Sequence, residues 1–139
     1  MSRYGRDEIE WDQLTQAGTK FLIERARLGK VTTYTELNFT LERRTGYSPF
    51  DFERSHGRAA MGHLLFLIVS SDHERDPAAP PLMLSALVHY LGANDAGSGF
   101  YELAKQLGLL SPKASKAAKE EFWIGQIKAL YDRYGAPQA

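Results

Sequence analysis

The chain has 139 residues, 43% of them apolar and 12% aromatic, enough for one hydrophobic core and too few to expect a second domain. Its 17 basic residues balance 17 acidic ones, so no global field draws it to nucleic acid or to an anionic membrane, and nucleic-acid binding would have to use a local patch. With no cysteine, a disulfide, a thiolate metal site and a cysteine nucleophile are all excluded.

The first eleven residues, MSRYGRDEIEW, lack the apolar centre of a signal peptide, and the longest apolar runs, LLFLIV at 64–69 and LMLSALV at 82–88, fall far short of a membrane span. The expectation is a cytoplasmic protein that makes no membrane contact. Trp11, Leu14, Gly18, Phe21, Leu22 and Arg25 recur at helical spacing, with Gly29 placed to cap after Leu28, which predicts a helix over 11–28. Lys30 to Thr32 reads as a short strand or turn. It leads into Thr33-Tyr34-Thr35-Glu36, a capping box in which the Thr33 hydroxyl takes the Glu36 amide and the Glu36 carboxylate returns to the Thr33 amide. A helix over 34–43 follows.

Gly46 and Pro49 mark a loop, and Arg58 to Ser70 is predicted as a helix with Met61, Leu64, Leu65 and Ile68 on its apolar side. HERDPAAPP at 73–81 is a proline-punctuated connector. The continuous apolar run LMLSALVHYL at 82–91 reads as a strand covered on both faces, with a buried helix as the competing reading. GANDAGSG at 92–99 is a glycine-rich loop, and Phe100, Leu103, Ala104 and Leu107 form a short helix stopped by Gly108. Ser111-Pro112 is placed to open a last helix running to Tyr134, with an apolar stripe of Trp123, Ile127, Leu130, Tyr131 and Tyr134.

This order predicts an α+β, mainly helical, winged-helix-like domain over 11–110, followed over 111–135 by an extra amphipathic helix, all within one domain spanning 1–139. GKVTTYTEL from Gly29, RAAMG at 58–62 and PLMLSALVHYLGANDAGSGFYELAKQLGLL at 81–110 resemble, in that order, the C-terminal domain of the O6-alkylguanine-DNA alkyltransferases. That resemblance implies a DNA-binding winged-helix-like fold. It gives Tyr34 the place of a tyrosine that works near the DNA backbone and makes the helix carrying Arg58 the recognition helix. It also implies an absent reaction: the place of the reactive cysteine falls on Leu87, that of its histidine on Val88 and that of an organising asparagine near Ala79, while the family's intercalating arginine falls on Ala59, one residue past Arg58. Leucine and valine supply neither nucleophile nor base. The chain also resembles a set of small bacterial proteins with R-A-x-G, L-L-S-A-x-V and G-x-G-F-x-x-A-x-x-L-G segments, a set that implies no activity.

Other polar residues read structurally. His56, His63, His73 and His89 contain no pair at the spacing of a helical two-histidine metal site, so no metal is expected. Ser85 and His89 on one strand would stand about 13 Å apart, too far for a serine–base pair. GANDAGSG lacks the closing Lys-Ser/Thr of a phosphate loop, and Asp72, Glu74 and Asp76 lack the calcium-loop pattern, so no cofactor is expected.

What remains is a local group, Tyr34, Arg43, Arg44, Arg54, His56, Arg58 and His63, on the two helices and loop of the predicted recognition surface, with Asp51 and Glu53 among them. Two functions of different class follow. One is a non-catalytic protein that binds double-stranded DNA through these residues. The other is a protein-interaction factor, an inhibitor, immunity or accessory protein, that docks a partner or a second copy through Trp123, Ile127, Tyr131 and Tyr134, unless that stripe covers the domain's own core. Neither is an enzyme.

Overall fold

The computed structural model describes residues 3–78, 81–90 and 98–135. The first helix, α1, spans Glu8–Arg27 and begins ahead of its apolar stripe because the Asp7 carboxylate accepts the Glu10 amide at 2.8 Å. Glu8 and Glu10 in its first turn, with Arg25 and Arg27 in its last, complement the helix dipole. Its inner face buries Trp11, Leu14, Phe21 and Leu22.

A two-residue strand, β1 (Thr32–Thr33), leads directly into α2 (Tyr34–Thr45). The Thr33 hydroxyl accepts the Glu36 amide at 3.0 Å, as the motif predicts. The return bond differs: the Glu36 carboxylate takes the Thr32 hydroxyl at 2.5 Å instead of the Thr33 amide, because the strand ahead of the cap brings a second threonine within reach.

The third helix, α3 (Ser55–Arg75), extends beyond the predicted 58–70 at both ends. Two glycines fix how it packs. A Cβ on Gly18 of α1 would lie 2.6 Å from the Ile68 Cδ1 of α3, so the two helices cross closely there. A Cβ on Gly57 would lie 1.9 Å from the Asp51 carbonyl oxygen, so the preceding loop lies directly on the first turn of α3.

The predicted strand over 82–91 is corrected. Leu84–Leu87 is a single 3₁₀ turn, and only Val88–His89 is extended, as β2; Leu91 lies outside the described residues. Leu84, Ser85, Ala86 and Leu87 are all buried, which explains the unbroken apolar run, but they contact α1, α3 and α5 instead of the two faces of a sheet. β2 pairs in parallel with β1, Thr32 opposite Val88 and Thr33 opposite His89. α4 (Ser98–Gln106) ends just before Gly108, as predicted.

The last helix, α5, spans Lys116–Tyr134 and not a helix opened at Ser111. Ser115 is the cap, accepting the Ala118 amide at 3.1 Å, while Ser111 and Pro112 form a turn closed by the Ala114 amide on the Ser111 carbonyl at 3.0 Å. Helices α1, α2, α3 and α5 share one core with the 3₁₀ turn, and Leu14, Leu22, Leu37, Leu64, Ile68, Leu84, Leu87 and Leu130 are among its most deeply buried side chains. Each contributes about 1.5–3 kcal/mol on burial. The fold is thus α+β and mainly helical; of the glycine loop expected as the wing over 92–99, residues 92–97 lie outside the described residues and Ser98 and Gly99 instead open α4.

Candidate binding cleft

A cleft of about 560 Å³ opens between the start of α2, the first half of α3, the 3₁₀ turn and α4. The small sheet sets up one wall. Because Thr33 stands opposite His89, the next residues, Tyr34 and Tyr90, emerge side by side, their rings 4.8 Å apart and tilted by 34°. Phe52 meets Tyr34 edge-on at 6.3 Å. Burial, with the Tyr90 hydroxyl nearby adding to it, pushes the Tyr34 pKa up to about 12, so this phenol keeps its proton beyond the pH at which an ordinary tyrosine ionises.

The opposite wall is α3 and α4, with Met61, Gly62, Leu65, Phe66, Phe100 and Leu103 lining it. Arg58, also on this wall, donates from Nη1 to the Phe52 carbonyl at 2.7 Å and thereby fastens the loop before α3 to the helix. Ser85 of the 3₁₀ turn lines the cleft as well; it is only 3% exposed, and its hydroxyl is buried with no hydrogen-bond partner. An orphaned buried hydroxyl costs about 1–3 kcal/mol.

The seven residues expected to form a DNA surface do not form one patch. Tyr34 and Arg58 share the cleft. His56 and His63 instead meet an aromatic group at the N-terminal flank: His56 lies 5.3 Å from the Tyr4 ring, and His63 is edge-on to Trp11 at 4.8 Å and near Phe66 at 6.5 Å. Burial, and secondarily the Arg3 charge, lowers the His63 pKa. Arg54 pairs with Asp51 at 3.3 Å. At the far end of α2, Arg43 borders a separate shallow depression with Phe21, Arg25 and Phe39. Arg44 grips Glu24 through two bonds of 3.0 and 2.8 Å with its guanidinium over the Phe21 ring; that bond holds the Glu24 carboxyl below its usual range and raises Arg44.

The four residues expected at a partner interface turn inward. The Trp123 indole donates to the Ala86 carbonyl at 2.8 Å, Ile127 and Tyr131 pack on the core, and the Tyr134 hydroxyl donates to the buried Asp72 carboxylate. This stripe covers the domain's own core, and Gln126 beside it takes the Met83 amide at 2.8 Å. Leu87 and Val88, at the place the resemblance gives to a nucleophile and its base, are fully buried and apolar. Ala79 lies outside the described residues.

Sequence reasoning reached Tyr34 and Arg58 and passed over Tyr90, Phe52, Phe66 and Phe100. Tyr90 had a readable signal, since a period-two register from Thr33-Tyr34 to His89-Tyr90 aligns the two tyrosines once the strands are paired. Among the described residues no group of three or more metal-ligating side chains converges, and no helix is long and apolar enough to cross a membrane. Compared with protein-family models, with curated proteins and with solved structures, the chain matches none.

Proposed function

We propose that this protein is a non-catalytic, winged-helix-like binder of double-stranded DNA that works through the face around Tyr34 and Arg58. The reading rests on one observation: Tyr34, the first residue of α2 directly after β1, and Arg58, in the first turn of α3, wall the same cleft despite their separation in sequence. Exposed Arg54 flanks that face, with its charge shared with Asp51 at 3.3 Å. The buried apolar pair Leu87 and Val88 supports the absence of alkyl transfer.

With Arg44 committed to Glu24 and Arg43 at the far end of α2, only two or three phosphates are within the face's reach, so the log–log salt slope should be shallow, about −2 to −3. An anisotropy titration of a labelled duplex over a series of salt concentrations tests this. Arg58→Ala should weaken binding and reduce the slope by about 1. No binding at the lowest salt would overturn the proposal.

A second reading, a protein-interaction factor, is favoured by Phe39, Phe66 and Tyr90, which are 61%, 42% and 51% exposed. A flat DNA titration together with a stable partner that is lost in Phe39→Ser or Phe66→Ser would establish it in place of the first.

A further inference from the structure

The cleft has the size and lining of a small-molecule site. Its 560 Å³ falls within the range of about 300–1,000 Å³ that small-molecule sites occupy. Its walls are apolar and aromatic, and among the described residues that line it the one buried polar side-chain atom without a partner is the Ser85 hydroxyl. We propose that it binds a free, uncharged aromatic molecule of one or two rings that carries a single carboxamide-like hydrogen-bonding group directed at Ser85.

Each part of that ligand follows from a feature of the cleft. Tyr34, Tyr90, Phe52, Phe66 and Phe100 present ring faces and edges, which favours a planar aromatic occupant over a flexible aliphatic one. The charged side chains among the lining residues, Arg58 and Glu102, are opposite in sign and exposed to water, so neither offers a desolvated counter-charge to a ligand buried in the cleft. A charged ligand would lose its hydration without gaining a partner, which argues for a neutral one. A serine hydroxyl both donates and accepts, so a carbonyl or amide satisfies it after a turn about χ1, and the occupant relieves a group that is now buried and unpaired. The site belongs to the protein alone and does not depend on DNA.

Gly62 gives a means of blocking it. This glycine lies on the cleft wall in α3, and a Cβ built there meets nothing within 4 Å, so a substitution starts out into open space. Replacing a helical glycine also favours the helix.

The test uses benzamide and 2-naphthamide, with isopropylbenzene as a shape-matched probe that cannot hydrogen-bond, followed by saturation-transfer NMR and titration calorimetry. At least one amide should bind the unaltered protein. Ser85→Ala should weaken the amide about tenfold and leave isopropylbenzene unchanged or tighter. Gly62→Leu should keep an undiminished melting temperature and lose every probe. The proposal is overturned if neither amide binds at millimolar concentration, if Ser85→Ala leaves the amide unaffected, or if Gly62→Leu, folded by circular dichroism, still binds. Since Ser85 is only 3% exposed and makes no part of the charged face, the duplex titration on Ser85→Ala keeps the fate of this site separate from that of the DNA reading.

Discussion

His63 occupies a place where an imidazole ring is welcome and its charge is not. It is edge-on to Trp11, and burial lowers its pKa below the usual 6.5, with Arg3 adding to the effect. The unfolded chain therefore binds the proton more readily than the folded one, so unfolding takes up a proton between the two values. Stability from this residue is complete above about pH 6.5 and declines as pH falls through the unfolded value toward the lower folded one. The urea midpoint should fall between pH 7 and 5, and His63→Gln should flatten the decline. Equal declines in the two proteins would show that His63 is not the titrating group. Glu24, held low by Arg44, would reduce stability only under more acidic conditions, below its usual 4.5. The sequence showed Arg44 as one of several clustered cations; its partner is a glutamate on another helix, a pairing that requires the α1–α2 packing and that no local spacing encodes.

At the level of single elements, what could be read was what local chemistry decides. The Thr33 cap, the end of α4 near Gly108 and the apolar face of α3 all depend on residues within a turn or two of one another. The misreadings share one cause. A Ser-Pro pair opens a helix or a turn equally well, and only the position of Ser115 relative to the core decided which serine became the cap. A run buried on every side looks the same whether extended or wound, and the cover supplied by α1, α3 and α5 made 84–87 a 3₁₀ turn. The same cover explains why the α5 stripe points inward. Asp72, almost wholly buried near the end of α3, receives the Tyr134 hydroxyl and has Arg75 at 3.6 Å, so it ties α3 to α5. Tyr134→Phe should cost about 1–3 kcal/mol in chemical denaturation, because it leaves the carboxylate short of a donor. A loss within error of zero would mean that water takes over the bond.

At the scale of the molecule, α5 is a structural member and not an appendage to the domain over 11–110. It buries Leu130 completely and bonds through Trp123 to the 3₁₀ turn and through Gln126 to Met83 just ahead of it. Ending the chain before Ser115 should expose Met83, Leu84 and Leu87, with loss of cooperative thermal unfolding and gain of dye-binding apolar surface. A truncated chain that still melts cooperatively would show that the first four helices carry the core alone. The mainly helical class was legible because periodicity reports it; the cleft was not, because its walls come from four separate segments whose meeting is a tertiary event.

The parallel pairing of Thr32 with Val88 also bears on the order of assembly. Those strands come from either side of α2 and α3, so joining them in an open chain means closing a long loop for a ladder of only two residues. Helix packing has to shorten that distance first, which makes strand closure a late step. Tyr34 and Tyr90 meet only when it occurs, so the chain completes its core before it acquires its cleft.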